Sequence, residues 1–323
     1  MKEARRDHTA IPLSSPETGI PKGVPFAIFI AILAVSTASI FIRFAQREAP
    51  SLVIAALRLT FASLILAPIA FTRHRDELRK LTRSDLLLGL LSGIFLAIHF
   101  ATWITSLEYT GVASSVVLVS TGPLWVALLS PIFLKEPLTR FVLLGMLLAL
   151  LGGTIIGLSD SCQIENSLIC PPLSEFIQGK AFLGNFLALV GAWTVAGYLI
   201  IGRKLRTGMS LVPYIFVVYG IAALVLLVVM FASGQHPTGY TPVFYLWILL
   251  LAIVPQLIGH STYNWALRYL PAALVSITTL GEPIGSAVLA YFILNETPTL
   301  LTILGGVLIL LGIYLATRRK NTA

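Results

Sequence analysis

Leu107-Glu108-Tyr109, Ala113, Pro123, Leu134, Glu136, Thr139, Gly145 and Gly152 recur as Leu267-Arg268-Tyr269, Ala273, Pro283, Leu294, Glu296, Thr299, Gly305 and Gly312, at a constant offset of 160 residues. Matched leucines carry little information in so apolar a chain. Matched Pro, Tyr and Gly with no gap over 46 positions carry a great deal. Duplication within hydrophobic spans is the pattern of secondary transporters, whose sites form where the two halves meet.

Composition sets the class. Of 323 residues, 57% are hydrophobic and 11% are charged, against roughly 25% charged in a soluble domain. A bilayer-spanning helix needs about 20 apolar residues. Ten stretches qualify, at about 25–43, 51–72, 86–108, 112–134, 140–158, 181–202, 211–231, 243–267, 271–294 and 299–317. A secretory signal could imitate the first, but some 24 mostly polar residues precede it and Arg43 follows where a cleavage site would stand. A soluble core cannot hide ten such helices in a chain of this size.

Basic residues orient the chain. With the N-terminus inside, eighteen Lys and Arg fall on the cytoplasmic side and only Arg43, Arg47 and Lys180 outside, Arg58 lying within a span. The positive-inside rule then places both termini in the cytoplasm of a plasma (inner) membrane protein. The net charge of +8 is therefore topological; it offers lipid headgroups as a partner and excludes a nucleic-acid patch. Five spans per half is an odd number, so the second half enters the membrane upside down. The expected fold is an all-α membrane protein of ten transmembrane helices built as two inverted five-helix repeats. Its parts are a cytoplasmic tail (1–24), a first repeat (25–158), an outer loop (159–180), a second repeat (181–317) and a short cytoplasmic tail (318–323). Two halves that exchange conformations give alternating access to a central site. With no dimer motif present, a monomer is the default.

The outer loop holds both cysteines, Cys162 and Cys170. An oxidising exterior allows a disulfide between them; two free thiols are the alternative. No Cys/His spacing fits a metal, and no cofactor is expected. A Walker A loop is missing, since Gly179-Lys180 is followed by Ala181 without the upstream Gly, so the chain itself does not burn ATP. Facilitated diffusion and ion-coupled transport, with protons as the simplest ion, both remain.

Four ionisable residues lie within the spans: Arg58, His99, His260 and Glu282. A charge near a helix centre costs about 2.5–3.5 kcal/mol on the insertion scale, so each needs a reason. Glu282 sits near the middle of its span, directly before Pro283, with Thr279 and Ser286 on the same helical face. It reads either as a protonatable carboxyl on a cavity wall or as a structural Glu bonded to a neighbouring helix. Its counterpart 160 residues earlier is Gly122, so fold symmetry does not require the charge. Arg58 is expected to snorkel to the outer interface or pair with Glu48 or Glu108, the alternative being capture of a substrate carboxylate. His99 and Trp103 share one face of the third span. Gln256, His260, Tyr263 and Asn264 form a polar stripe on the eighth, and Trp103 and Tyr263 stand 160 residues apart, an aromatic on each side of a cavity suited to amphipathic solutes. The bland reading of either His alone is a hydrogen-bonded packing residue. Ser36, Ser39 and Arg43 add a polar face near the outer mouth, while small residues such as Gly145, Gly153, Gly305 and Gly306 serve helix packing.

These blocks carry a resemblance. Ala56-Leu57-Arg58-Leu59 is similar to the Ala-x-Arg-Phe-type signature of the EamA branch of the drug/metabolite transporter superfamily, and Leu107 to Glu136 and Leu267 to Glu296 resemble its two repeated domains. The resemblance covers about residues 25–317. It implies a ten-helix inner-membrane transporter with spans 3, 4, 8 and 9 around the cavity, moving a small-molecule substrate and most often exporting amino acids or related metabolites. Thr37-Ala38 stands where the family commonly has Trp-Gly, which alters the cavity wall. The alternatives are a passive facilitator or channel and, from another class, an intramembrane enzyme, for which no Ser/Lys, Asp/Asp or His-Glu-x-x-His set is present.

Overall fold

The computed structural model describes residues 23–133, 140–161, 163–164, 168–169, 178–270 and 272–317. The chain opens with α1 (Val24–Ser36), α2 (Ala38–Ala45), α3 (Ser51–Arg73) and a short α4 (Arg75–Arg79). Then come α5 (Arg83–Tyr109), α6 (Val112–Val119), α7 (Gly122–Phe133) and α8 (Arg140–Ser161). A hairpin of β1 (Gln163–Ile164) and β2 (Leu168–Ile169), pairing Gln163 with Ile169 and Ile164 with Leu168, leads to α9 (Lys180–Arg206) and α10 (Leu211–Ala232). Next, α11 (Pro242–Leu251) runs into a π-helical segment (Ala252–His260) and α12 (Ser261–Ala266). After α13 (Ala272–Thr278) and α14 (Gly281–Leu289), a π turn (Ala290–Leu294) precedes α15 (Leu300–Thr317).

Among the described residues, seven helical runs are long and apolar enough to cross a bilayer: Val24–Ala45, Ser51–Arg73, Arg83–Tyr109, Val112–Phe133, Lys180–Arg206, Leu211–Ala232 and Pro242–Ala266. Leu143–Gly153, Gly281–Leu294 and Leu300–Gly312 are shorter apolar helices. The outside of the bundle is as apolar as its core: Phe26, Leu87 and Phe292 are 70%, 66% and 74% exposed. In water such a surface would drive aggregation; in a bilayer it meets lipid, and the helices satisfy their own backbone groups.

Local signals start and stop the helices as the residues require. Thr82 and Asp85 form a reciprocal capping box at the start of α5, satisfying two orphan N–H groups. Thr241 caps α11, with Pro242 in the first turn where its missing N–H is harmless. Asn295 ends the π turn in the left-handed region at φ 56°, a conformation asparagine tolerates. That turn aims Glu296 at Arg43 (3.0 Å) and at the backbone N–H of Val112 (2.9 Å).

Neighbouring helices pair across the two halves. The main pairings are α5 with α9, α3 with α10, α1 with the π-helical segment, and α8 with α15. The last pair is set by glycine. A Cβ on Gly152 would stand 2.5 Å from the Gly305 carbonyl oxygen, and one on Gly312 would stand 2.5 Å from that of Gly145. Residues rise along one helix as they fall along the other, so α8 and α15 run antiparallel. Gly153 and Gly306 do not share this role, since a Cβ on either would meet only ordinary contacts at 3.5 and 3.6 Å.

Outside the apolar runs, Glu77 docks α4 against the start of α10. Its carboxylate accepts from the Ser210 N–H (2.7 Å) and hydroxyl (2.5 Å) and lies 3.6 Å from His74 Nδ1. Burial pushes this carboxyl up, but the Ser210 and His74 bonds outweigh burial and hold it below its ordinary 4.5. A depressed carboxylate stabilises the fold above its unfolded pKa and loses that contribution as pH falls through the folded one. The docking is therefore expected to weaken only below about pH 4.5. Thermal unfolding followed across that range checks this, with Ser210→Ala flattening the dependence.

Candidate functional site

Two pairs of helices are broken at matching places. Ser120 and Thr121 separate α6 from α7, and Thr279 and Leu280 separate α13 from α14. Both breaks lie within four residues before a proline of the repeat, Pro123 and Pro283, which cannot donate to a helix ladder. Between the breaks lies a cavity. Ser120, Gly122 and Pro123 come from one break, Thr279 and Glu282 from the other, and Ser276 from α13. His99 and Trp103 on α5, Tyr198 on α9, and His260, Tyr263 and Asn264 at the end of the π-helical segment and on α12 complete the polar lining.

Glu282 falls in the first turn of α14, where unsatisfied N–H groups favour negative charge. Among the described residues, no hydrogen bond or ion pair engages its carboxyl, and the group is open to the cavity. Among the described residues the Trp103 indole N–H and the Tyr263 hydroxyl are buried without hydrogen-bond partners, and both residues line the same cavity. Buried polar groups rarely go unpaired unless something else fills the place. His99 Nδ1 lies 2.9 Å from the Gly191 carbonyl; a carbonyl only accepts, so Nδ1 carries the proton and Nε2 of the neutral ring is the acceptor. The His99 ring stacks on Trp103 at 5.9 Å, and His260 meets His99 edge-on at 6.5 Å.

Arg58 is fully buried and does not snorkel. Its Nε donates to Gln256 Oε1 (3.0 Å) and its guanidinium lies 4.1 Å over the Phe100 ring, while Nη1 and Nη2 have no hydrogen-bond partner among the described residues. Neither expected carboxylate is available: Glu48 accepts from Thr241, and Glu108 accepts from Ser51. Arg58 instead packs on Phe100, which itself meets His260 edge-on at 5.4 Å.

Seven of the nine residues expected at the cavity line it: His99, Trp103, His260, Tyr263, Asn264, Thr279 and Glu282. Two do not. Gln256 lies in the π-helical segment, whose wider turn around Pro255 rotates it off the stripe and toward Arg58. Ser286 donates to the Ser36 carbonyl at 3.1 Å, because the break at Thr279–Leu280 resets the helical face that an unbroken span would have given it. On the first helical run Ser36 bonds the Ile32 carbonyl and Arg43 pairs with Glu296, so neither opens a free polar face. Ser120, Tyr198 and Ser276 were not anticipated. A lone Tyr or Ser in an apolar helix gives no periodic signal, but comparison with the residue 160 places away would have marked Tyr198 against Ala38 and Ser276 against Val116. Cys162 and Cys170 lie outside the described residues.

The family model of the EamA-like transporter family matches residues 22–158 and again 182–318. The chain belongs to the EamA-like transporter family. It is thus an integral membrane protein, a membrane transporter of the drug/metabolite type with the family's two-repeat fold. An uncharacterized transporter of Archaeoglobus fulgidus is 26% identical over 293 residues, covering 90% of this chain and 95% of its own. The pseudopaline exporter CntI of Pseudomonas aeruginosa is 24% identical over 295 residues, covering 91% and 96%. A solved crystal structure superposes with a TM-score of 0.64 at 17% identity, covering 91% of this EamA-like chain and 96% of its own.

Proposed function

We propose that this chain is a secondary carrier of the inner membrane that exports amino acids or related amphipathic solutes by alternating access. Ten spans in two inverted repeats, with both termini cytoplasmic, are the architecture of this reading. Its support is the antiparallel crossing of α8 and α15, whose contacting glycines stand 160 residues apart in exchange, together with the excess of basic residues on one side. The observation that carries the functional reading is the pair of proline-broken helices facing one cavity. Discontinuous helices at a repeat interface are how transporters expose backbone groups to a solute at the membrane midplane.

In this reading Glu282 takes the solute's ammonium group or a proton, and Arg58 draws its carboxylate. Trp103 and Tyr263 supply polar contacts and flat apolar walls. The remaining lining, His99, His260, Asn264 and Thr279, orients the solute, while Gln256 and Ser286 act from behind. That a relative is named a pseudopaline exporter fits export of a small metabolite. Uptake by purified protein in liposomes tests the function, screening amino acids with and without a pH gradient. Saturable transport that the gradient concentrates, with accumulation lost in Glu282→Gln, is the expected result. Linear, uncompeted flux would make the chain a channel. Saturable flux that never exceeds equilibrium and survives the substitution would make it a facilitator.

We also propose that Cys162 and Cys170 are bonded. They flank the residues that β1 and β2 pair, 163 with 169 and 164 with 168, which favours a short closed loop on the oxidising side. Alkylation of the denatured chain is expected to modify neither cysteine before reduction and both after it.

A further inference from the structure

For Arg58 to meet a solute carboxylate, it must reach a cavity that it does not line. Phe100 joins the two. The Arg58 guanidinium lies 4.1 Å over the Phe100 ring. That ring in turn meets His99 at 4.8 Å, His260 at 5.4 Å and Trp103 at 6.4 Å, and all three of those side chains line the cavity. Phe100 is itself fully buried and, like Arg58, is not part of the lining. A ring face attracts a cation electrostatically, so Phe100 is a partner of the guanidinium as well as its neighbour.

The arrangement belongs to the first half alone. Under the 160-residue offset Arg58 corresponds to Val218 and Phe100 to His260, so fold symmetry supplies neither the cation nor the ring it lies on. Both members are held by one element of the second half. In the π-helical segment Gln256 accepts from Arg58 Nε, and His260, four residues later, meets the Phe100 ring. The Nε bond fixes the guanidinium in place, while Nη1 and Nη2 have no hydrogen-bond partner among the described residues. A carboxylate that takes both Nη groups forms a two-pronged, charge-assisted pair, a stronger partner for a buried guanidinium than a ring face. A solute that carries a carboxylate can therefore displace the ring, and one that lacks it cannot.

We propose that Phe100 sets the specificity of the cavity: its ring covers the Arg58 guanidinium while the cavity is empty, and a solute carboxylate turns it aside to take Nη1 and Nη2. This rests on the reading of Arg58 as the carboxylate partner. The cavity then selects amino acids over the amines that differ from them only in lacking the carboxylate. Such an amine engages Glu282 and leaves the ring where it is, so the two solutes differ by the strength of the Arg58 pair less the cost of uncovering it.

The attraction between ring and guanidinium can be tuned with little change of shape, by replacing Phe100 with mono-, di- and trifluorophenylalanine, which weaken the negative ring face stepwise. Binding is read as thermal stabilisation of the detergent-solubilised protein by each proteinogenic amino acid and by the amine it gives on decarboxylation. Affinity for the best-bound amino acid is expected to rise stepwise, by about tenfold in all, while affinity for its amine stays within about twofold. In Arg58→Met the amino acid and its amine should bind alike, with no trend along the fluorine series. A flat or falling series in the parent, or one that moves amino acid and amine together, overturns the assignment of Phe100 and leaves Arg58 in its role. An Arg58→Met variant that binds the amino acid as the parent does, or a parent that no amino acid stabilises, removes the carboxylate reading and the proposal with it.

Discussion

Arg58→Met is expected to leave the fold intact and to lower transport at least about a hundredfold, the effect of losing roughly 3 kcal/mol of interaction with the solute. The two halves of that expectation come from the same contacts. Among the described residues Arg58 makes one hydrogen bond, to Gln256, and one cation–π contact, with Phe100, and its two Nη groups are unpartnered. A guanidinium so poorly matched contributes little net stability, because desolvating it costs as much as these contacts return. An apolar side chain of similar length in its place is neutral or stabilising within about 1–4 kcal/mol. A residue kept at that expense serves something other than folding. Thermal unfolding of the detergent-solubilised variant and uptake of the solute identified in the amino-acid screen separate the two effects. A variant that unfolds on purification would make Arg58 structural; one that transports at the parent rate would remove it from the site. Arg58→Lys should transport poorly too, since an ammonium cannot keep both the Nε bond and the stack on Phe100.

Gly152→Val is the second large effect, expected to destabilise by about 3 kcal/mol or to prevent folding, at the upper end of ordinary overpacking. Besides the Ile309 side chain at 2.8 Å, it would strike two backbone atoms: the Gly305 carbonyl at 2.5 Å and the Ile309 nitrogen at 3.1 Å. Neither can rotate away, so the two helices must separate, and without a hydrophobic force between helices in lipid, close packing is the main attraction that is lost. Gly305→Val meets the Gly152 carbonyl and should behave alike. Gly153→Ala, one residue further on, would touch only Leu118 at 3.5 Å and should be neutral or gain about 0.5–1 kcal/mol from lost glycine flexibility. Comparing unfolding midpoints of Gly152→Ala and Gly153→Ala checks this: equal midpoints would mean the crossing does not hold the pair together.

Much of this molecule is legible in its sequence because membranes make certain residues expensive. A Glu in the middle of an apolar run, a proline repeated at a fixed offset and two aromatics in register are improbable by chance, and Glu282, Pro123 and Trp103 with Tyr263 all line one cavity, with Pro283 next to Glu282. What periodicity conveys is a straight α-helix, and it misleads wherever the helix is not one. Gln256 turns away because nine residues wind with the wider π turn, and Ser286 because a break intervenes between it and Thr279. Arg58 is the sharper case. Its partner Gln256 is 198 residues distant, whereas the acids nearest in the assumed topology, Glu48 and Glu108, are already engaged by Thr241 and Ser51. Hydropathy gives depth but not azimuth, so it could bring the right charges to the right layer without saying which of them meet.

The glycine crossing of α8 and α15 also speaks to ancestry. Gly145 meets Gly312 and Gly152 meets Gly305, and shifting both numbers by the repeat turns each contact into the other. A contact set that maps onto itself is an isologous interface, the kind two identical subunits make across a two-fold axis. A half-length chain ending in such a helix already carries what it needs to clasp a copy of itself. Fusing the two copies frees each to diverge, and the divergence is concentrated at the centre: Glu282 opposite Gly122, Arg58 opposite Val218, Tyr198 opposite Ala38. The protein is in effect a homodimer joined end to end, and its chemistry sits where the two copies have ceased to be the same.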